Sequence, residues 1–210
     1  MAADPVKEPE VPRPRFGLLP LALLIVLVLW AAVHFGPRLW QLSQSALPEA
    51  VSFGGPFSLF DANGAKVTDK DLAGKPFALF FGYSHCPDVC PTTLQDMGAW
   101  LAGLGPDATR LRMVFITVDP ARDTPAALKE YMSSFDPRIL ALTGNEKEVG
   151  DAMHAYRVYA KKVPNGSGDY SMDHTAATYL MDASGKLQGV LVNGVKTDEA
   201  VQKLKGLIAG

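Results

Sequence analysis

The chain has few cysteines, little excess charge and no internal repeat. Only two of its 210 residues are cysteine, too few to staple a domain of this size through disulfides. Its 20 basic and 22 acidic residues leave a formal net charge of -2, so no basic excess points to nucleic acid as a partner. These absences disfavour a disulfide scaffold and a nucleic-acid-binding protein, and they direct attention to the chemistry of the two cysteines.

Apolar residues do form one long run, near the N-terminus. Residues 16–35 contain no formally charged side chain, and twenty residues at ~1.5 Å rise match a bilayer core of roughly 30 Å. Arg13 and Arg15 precede the run, so the positive-inside rule places the N-terminus in the cytoplasm. We therefore predict a cytoplasmic tail at 1–15, a single transmembrane anchor at 16–35 and a linker at 36–53.

Two other kinds of targeting segment are alternatives to an anchor. A cleaved signal peptide typically has a shorter apolar region, of ~7–15 residues. A mitochondrial transit peptide is normally poor in acidic residues, whereas Asp4, Glu8 and Glu10 all lie in the tail. The favoured interpretation is a bacterial inner-membrane protein whose remaining chain lies in the periplasm, a compartment that permits disulfides.

Residues 54–210 alternate between strand and helix patterns and are expected to form one domain. Residues 162–168 are expected to be a flexible loop. The other predicted elements, in chain order, are a hairpin over 57–68, a strand at 77–83, a helix at 92–104, a strand at 111–118, a helix at 124–134, a short strand at 140–142, a helix at 146–159, a hairpin over 176–192 and a helix at 198–207. This order indicates an α/β, thioredoxin-like domain that begins with a hairpin.

Both cysteines lie in one turn, between a predicted strand and a predicted helix. Cys86 and Cys90 are four residues apart, a spacing that places two side chains on one helical face. A helix N-terminus has unpaired N–H groups and partial positive charge, which favour thiolate over thiol at both sulfurs. The pair can therefore share a soft metal or close a redox-active disulfide. Thioredoxin-type centres have two residues between their cysteines, whereas the three found here suit chelation.

Four histidines are candidates for a third metal ligand, since a soft metal such as Cu(I) on two thiolates usually adds an imidazole. His34 lies in the apolar run, and His154 lies in a predicted helix. His85 adjoins Cys86, but neighbouring side chains in an extended segment point apart. His174 precedes a predicted strand whose leading loop, in a thioredoxin-like fold, lies beside the cysteine turn. Position alone favours His174 and leaves His85 open.

Several ordered motifs resemble one known family. Residues 82–94, Gly-Tyr-Ser-His-Cys-Pro-Asp-Val-Cys-Pro-Thr-Thr-Leu, closely resemble the signature of the Sco (SenC-type) copper-binding proteins. The resemblance continues in four later segments, 115–125, 158–159, 162–164 and 170–174. It covers essentially all of 54–210.

The resemblance implies a ligand set and a function. Cys86, Cys90 and His174 correspond to the family's ligands for copper, Cu(I) or Cu(II), whereas a histidine at the position of His85 is not regarded as a ligand there. The implied role is a membrane-anchored chaperone that helps assemble the binuclear copper centre of cytochrome c oxidase subunit II, with other copper chaperones as further partners.

Other activities remain open beside the chaperone. A thiol–disulfide reductase acting on the oxidase's copper-site cysteines is the main alternative, and a redox or copper sensor is a third. A peroxidase is disfavoured because the chain has no separate resolving cysteine.

Four aspartates also recur in the family pattern. Asp119 and Asp123 are interpreted as turn or cap carboxylates. Asp88 and Asp173 have the same simple interpretation, and they are also candidates for supporting the ligands or docking a partner.

Overall fold

The computed structural model describes residues 23–35, 53–166 and 168–210. The chain divides into two compact units, Met1–Val51 and Ser52–Gly210. In the first unit, residues 23–35 form helix α1, which exposes a row of large apolar side chains.

Helix α1 occupies only part of the predicted anchor. Among the described residues, no helix is both long and apolar enough to cross a membrane. The anchor predicted at 16–35 is therefore not confirmed. Residues 16–22, the tail at 1–15 and the linker up to residue 52 lie outside the described part of the chain.

The second unit alternates strands and helices. Its strands are β1 (Ser58–Asp61), β2 (Lys66–Thr68), β3 (Phe77–Gly82), β4 (Arg112–Thr117), β5 (Ile139–Thr143), β6 (Ala160–Pro164), β7 (Tyr170–His174), β8 (Ala177–Met181) and β9 (Leu187–Val192). Its helices are α2 (Asp69–Leu72), α3 (Val89–Leu104), a 3₁₀ helix (Gly105–Arg110), α4 (Pro125–Met132), α5 (Glu146–Ala155) and α6 (Thr197–Ala209).

Seven strands form one mixed sheet, in the order β2-β1-β5-β4-β3-β8-β9. Strand β3 lies beside β4 in parallel and beside β8 in antiparallel orientation. All six residues of β3 are buried, as its continuous apolar sequence predicts for a central strand. Strands β6 and β7 pair with each other in a separate two-stranded sheet. The predicted α/β fold is confirmed.

Helix ends follow recognisable capping signals. The Thr124 hydroxyl accepts a hydrogen bond from the Ala127 N–H at 3.3 Å, and Pro125 occupies the first helical position of α4. Asn145 and Glu148 form a reciprocal capping box at the start of α5. Helix α3 packs against α6, and its buried face covers the sheet with Leu94, Met97 and Leu101. The cysteine turn is thus fixed between a buried strand and a packed helix.

Three sequence-based boundaries were wrong. Helix α3 begins at Val89 rather than at residue 92, because Pro91 falls in the first turn, where the N–H it lacks has no helical partner. Helix α5 ends at Ala155 instead of residue 159, and Arg157 adopts a left-handed φ of 52° just beyond it. Of the predicted flexible loop at 162–168, residues 162–164 belong to strand β6, whereas 165, 166 and 168 lie between β6 and β7.

Candidate metal centre

The cysteine turn places two sulfurs at the N-terminus of α3. Cys90 is in the first helical turn and is fully buried, whereas Cys86 lies before the helix and is partly exposed. The backbone N–H of Cys90 donates to Cys86 Sγ at 3.4 Å, so the helix N-terminus is directed at that sulfur. Both cysteines are free thiols.

His174 reaches the sulfurs from the last position of β7. Its Nε2 lies 3.5 Å from Cys90 Sγ, and its Nδ1 lies 3.1 Å from the carbonyl oxygen of Thr175. Because a carbonyl oxygen can only accept, Nδ1 carries the proton and Nε2 presents its lone pair to the sulfurs. The ring packs edge-on against Tyr83, with centroids 5.7 Å apart, and against Phe80 at 6.3 Å. These contacts hold the imidazole in a ligating orientation.

The three side chains form one donor set. One ligand atom from each of Cys86, Cys90 and His174 lies within 4.8 Å of the other two. Among the residues that the structure describes, no other group of three His, Cys, Asp or Glu side chains has this arrangement. Two sulfurs and one imidazole nitrogen are the soft and intermediate donors that Cu(I) and Cu(II) accept.

The two thiols differ in acidity. The pKa of Cys86 is lowered to about 3, chiefly because the Cys90 thiol donates to its sulfur, with further help from the N–H groups of Asp88 and Cys90. The pKa of Cys90 is raised by the same shared hydrogen bond and by burial. The prediction of two activated sulfurs is therefore wrong for the metal-free reduced state. One thiolate forms, on Cys86, because the buried pair shares a proton.

Among the described residues, the three remaining histidines are not members of this donor set. His85 is exposed, and its Nδ1 lies 2.9 Å from Ser84 Oγ. His154 is exposed on α5. His34 lies in α1, where its ring contacts that of Trp30 at 4.8 Å.

Two of the four aspartates are fully buried beside the site. The Asp123 carboxylate accepts hydrogen bonds from the Ser84 N–H at 3.1 Å, from the Thr117 hydroxyl at 2.6 Å and from the Ser84 hydroxyl. It therefore fixes the backbone that leads into Cys86. Asp119 is equally buried and contacts Arg122.

The other two aspartates face solvent. Asp88 is the exposed N-cap residue of α3, without a side-chain capping bond. Asp173 is exposed on β7, opposite Lys161 in the strand register. Their placement leaves both side chains accessible to a partner.

Sequence reasoning missed Ser84, Tyr83, Arg122 and Tyr170. The available signal was a pair of carboxylates, Asp119 and Asp123, close after the apolar strand that ends at Thr117, because a carboxylate buried there needs hydrogen-bond donors. What that pattern could not reveal is that Tyr170 would approach Asp119 from a distant hairpin.

Known proteins are similar to this chain in sequence. The family model for SCO1/SenC matches residues 45–209. The mitochondrial protein SCO1 of Saccharomyces cerevisiae is 45% identical over 156 residues, which are 73% of this chain and 53% of the yeast protein. A SCO2-like protein of Rickettsia conorii is 41% identical over 138 residues, covering 65% of this chain and 67% of its own length.

A solved structure extends the comparison to the fold. The copper-bound structure of Bradyrhizobium japonicum ScoI is 51% identical, with a TM-score of 0.71, and the alignment covers 74% of this chain and 99% of that one. The family match covers well over half of the present chain, including the cysteine turn and the β6–β7 hairpin. This chain therefore belongs to the SCO1/SenC family.

Proposed function

We propose that this chain binds copper through Cys86, Cys90 and His174 and helps assemble the binuclear copper centre of cytochrome c oxidase subunit II. The observation that carries the proposal is the convergence of these three donors within 4.8 Å. Two thiolates suffice for Cu(I), and the imidazole adds the harder donor that Cu(II) requires. Copper is bound in the ScoI relative, and the donor chemistry here suits the same ion.

The copper is treated as cargo that other copper chaperones supply and that the oxidase receives. Cys86 is partly exposed and carries the thiolate, so it is the donor that a partner can reach first. Asp88 and Asp173 expose carboxylates on the two elements that hold the ligands, and we infer that they contribute to partner docking.

We further propose that residues 16–35 anchor the protein in a bacterial inner membrane, with residues 54–210 in the periplasm. The charge-free run, and Arg13 and Arg15 before it, support this topology. The yeast relative bears a mitochondrial name and another relative is rickettsial.

A metal titration of the reduced full-length protein in detergent tests the ligand set. We expect one copper per chain, and Cys86→Ala or Cys90→Ala should abolish tight binding. His174→Ala should weaken Cu(II) far more than Cu(I), because both sulfurs remain. His85→Ala is the matched control and should bind both ions as the wild type does. Unchanged Cu(II) absorption in His174→Ala would refute the assignment.

A second candidate function is thiol–disulfide reduction of the oxidase's copper-site cysteines. The unequal thiols favour it, since a reductase needs an exposed thiolate that attacks and a second thiol that resolves the mixed disulfide. That chemistry does not require His174.

Cells carrying His174→Ala distinguish the two functions. The chaperone predicts loss of oxidase activity, partly rescued by added copper, while the purified variant still exchanges disulfides. If His174→Ala cells assemble oxidase normally and the two cysteine variants do not, the protein acts as a reductant and the copper-delivery proposal fails.

A further inference from the structure

The β6–β7 hairpin carries His174 but belongs to no larger sheet. Its five residue pairs run from Ala160 opposite His174 to Pro164 opposite Tyr170. An isolated two-stranded hairpin is marginally stable in water, so its position depends on contacts with the rest of the domain. Met172, in the middle of β7, is the one residue of these two strands that is buried.

Arg122 makes several polar contacts between the turn end of this hairpin and the rest of the domain. Its Nη1 donates to the carbonyl oxygen of Tyr170 at 2.9 Å and to Asp169 Oδ1 at 3.0 Å. Its guanidinium carbon lies 3.8 Å from the centre of the Tyr170 ring, a stacked arrangement. These contacts lie at the turn end of the hairpin, and His174 is at the other end.

Asp119 anchors Arg122 to the central sheet. The Asp119 carboxylate is fully buried just after β4, and it accepts from Arg122 Nε at 2.5 Å and from the Tyr170 hydroxyl at 2.9 Å. A buried carboxylate is strongly destabilising without such partners. Because the buried Asp119 carboxylate needs both donors, it fixes the positions of the Arg122 guanidinium and the Tyr170 side chain. The hairpin is held in place with them.

We infer that Arg122 is a positioning residue for His174, acting through the β6–β7 hairpin that it ties to Asp119. The inference rests on the proposed ligand role of His174. The cysteines are set chiefly by β3 and α3, although the Arg122 guanidinium also lies 5.8 Å from the centre of the Tyr83 ring, at the start of the cysteine turn. A flat guanidinium that binds three acceptors and stacks on a ring is required, and lysine cannot replace it.

The first test needs no metal. In the reduced, copper-free protein, Arg122→Met should accelerate amide hydrogen exchange in β6 and β7 by ~10-fold or more, while exchange in β3 and β4 stays unchanged. Arg138→Met is the matched control, because Arg138 also pairs with an aspartate, Asp136 at 2.6 Å, but is half exposed and far from the hairpin in sequence. Unchanged exchange in the hairpin of Arg122→Met would overturn the inference.

The second test is a double-mutant cycle on Cu(II) affinity. Arg122→Met alone should reduce Cu(II) affinity ~10–100-fold, as loss of a group that orients a ligand commonly does, and leave Cu(I) affinity within a few-fold. In a His174→Ala background it should cause no further loss of Cu(II) affinity, because its effect passes through the imidazole. Additive losses in the double variant would show a general structural effect and refute the positioning role.

Milder variants keep the test decisive if Arg122→Met does not fold. Tyr170→Phe removes one donor to Asp119 but keeps the stacked ring, and Asp169→Asn weakens one exposed ion pair. Both should shift the Cu(II) spectrum towards that of His174→Ala, by less than Arg122→Met. A wild-type spectrum in both would refute the inference. Failure of the wild type to bind copper would instead refute the proposed function, and hairpin exchange would still measure what Arg122 does.

Discussion

At the scale of single residues, the two sulfurs are chemically unequal. Cys90 is fully buried, and its S–H donates a hydrogen bond to the sulfur of Cys86. Cys86 is partly exposed and lies at the helix N-terminus. The same contact that lowers the pKa of Cys86 therefore raises that of Cys90. Reactivity towards electrophiles and partner disulfides should belong to Cys86.

This inequality predicts the pH dependence of alkylation. Because the pKa of Cys86 is about 3, reduced protein should react with iodoacetamide at Cys86 at a nearly constant rate from about pH 5 to about pH 8. Cys90→Ala removes the first cause of that low pKa, so the rate should then rise with pH. Mass spectrometry of labelled protein measures both rates. A steep rise with pH in the wild type would contradict the assignment of the thiolate.

The same pKa values determine how the thiols affect stability. The Cys86 thiolate stabilises the reduced fold fully above the ordinary thiol pKa of 9.0, and this contribution is lost as pH falls towards about 3. Cys90 acts in the opposite direction, since its raised pKa contributes below pH 9.0 and the contribution is lost as pH rises above it.

An added methyl group should have opposite effects on stability at two glycines, Gly82 and Gly150. A Cβ on Gly82 would lie 2.8 Å from a Phe80 ring carbon, 2.9 Å from a Phe115 ring carbon and 3.0 Å from Cys90 Sγ. Gly82→Ala should therefore lower the free energy of unfolding by ~1–3 kcal/mol and weaken copper binding by displacing the sulfur. Gly150 lies inside α5, and a Cβ added there would meet no atom within 4 Å. Gly150→Ala should therefore raise the free energy of unfolding by ~0.5–1 kcal/mol. Urea unfolding of both variants measures the difference, and equal stabilities would contradict the packing described.

At the scale of elements, the sequence predicted the elements that neighbouring residues determine better than those that distant contacts determine. The apolar run of β3, the Thr124–Pro125 start of α4 and the hairpin of β8 and β9 are each set by neighbouring residues, and all three were predicted correctly. Strands β6 and β7 expose polar residues and are held by Arg122, far away in the sequence, so their pattern resembles that of a loop. For the site, the sulfurs' shared turn was visible in the sequence, whereas the hairpin that positions His174 was not.

The cap of α4 gives a prediction at this scale. Thr124→Ala removes the acceptor for the Ala127 N–H and should lower the free energy of unfolding by ~1 kcal/mol. Thr124→Ser keeps the hydroxyl and should restore most of that loss. Thermal unfolding of the three proteins measures it. Equal destabilisation by serine and alanine would show that the methyl group, and not the cap, matters.

At the scale of the whole molecule, the proposed topology places the metal-binding unit outside the cytoplasm. A reporter enzyme active only in the periplasm, fused after Gly210, should therefore be active, and the mature protein should keep its N-terminal tail. N-terminal sequencing and reporter activity are the measurements. A mature form that begins after about residue 45 would show a cleaved signal peptide instead of an anchor.

The long separation between the donors has a consequence for how the protein is made. Cys90 and His174 are 84 residues apart in sequence, and β3 cannot be enclosed until β8 has been added beside it. Under the proposed topology, a chain exported from its N-terminus delivers both thiols to an oxidising compartment before the imidazole and the covering strand have arrived. A disulfide between Cys86 and Cys90 can then form during translocation, and a molecule oxidised in this way must be reduced by an electron donor before it can take up its first copper ion.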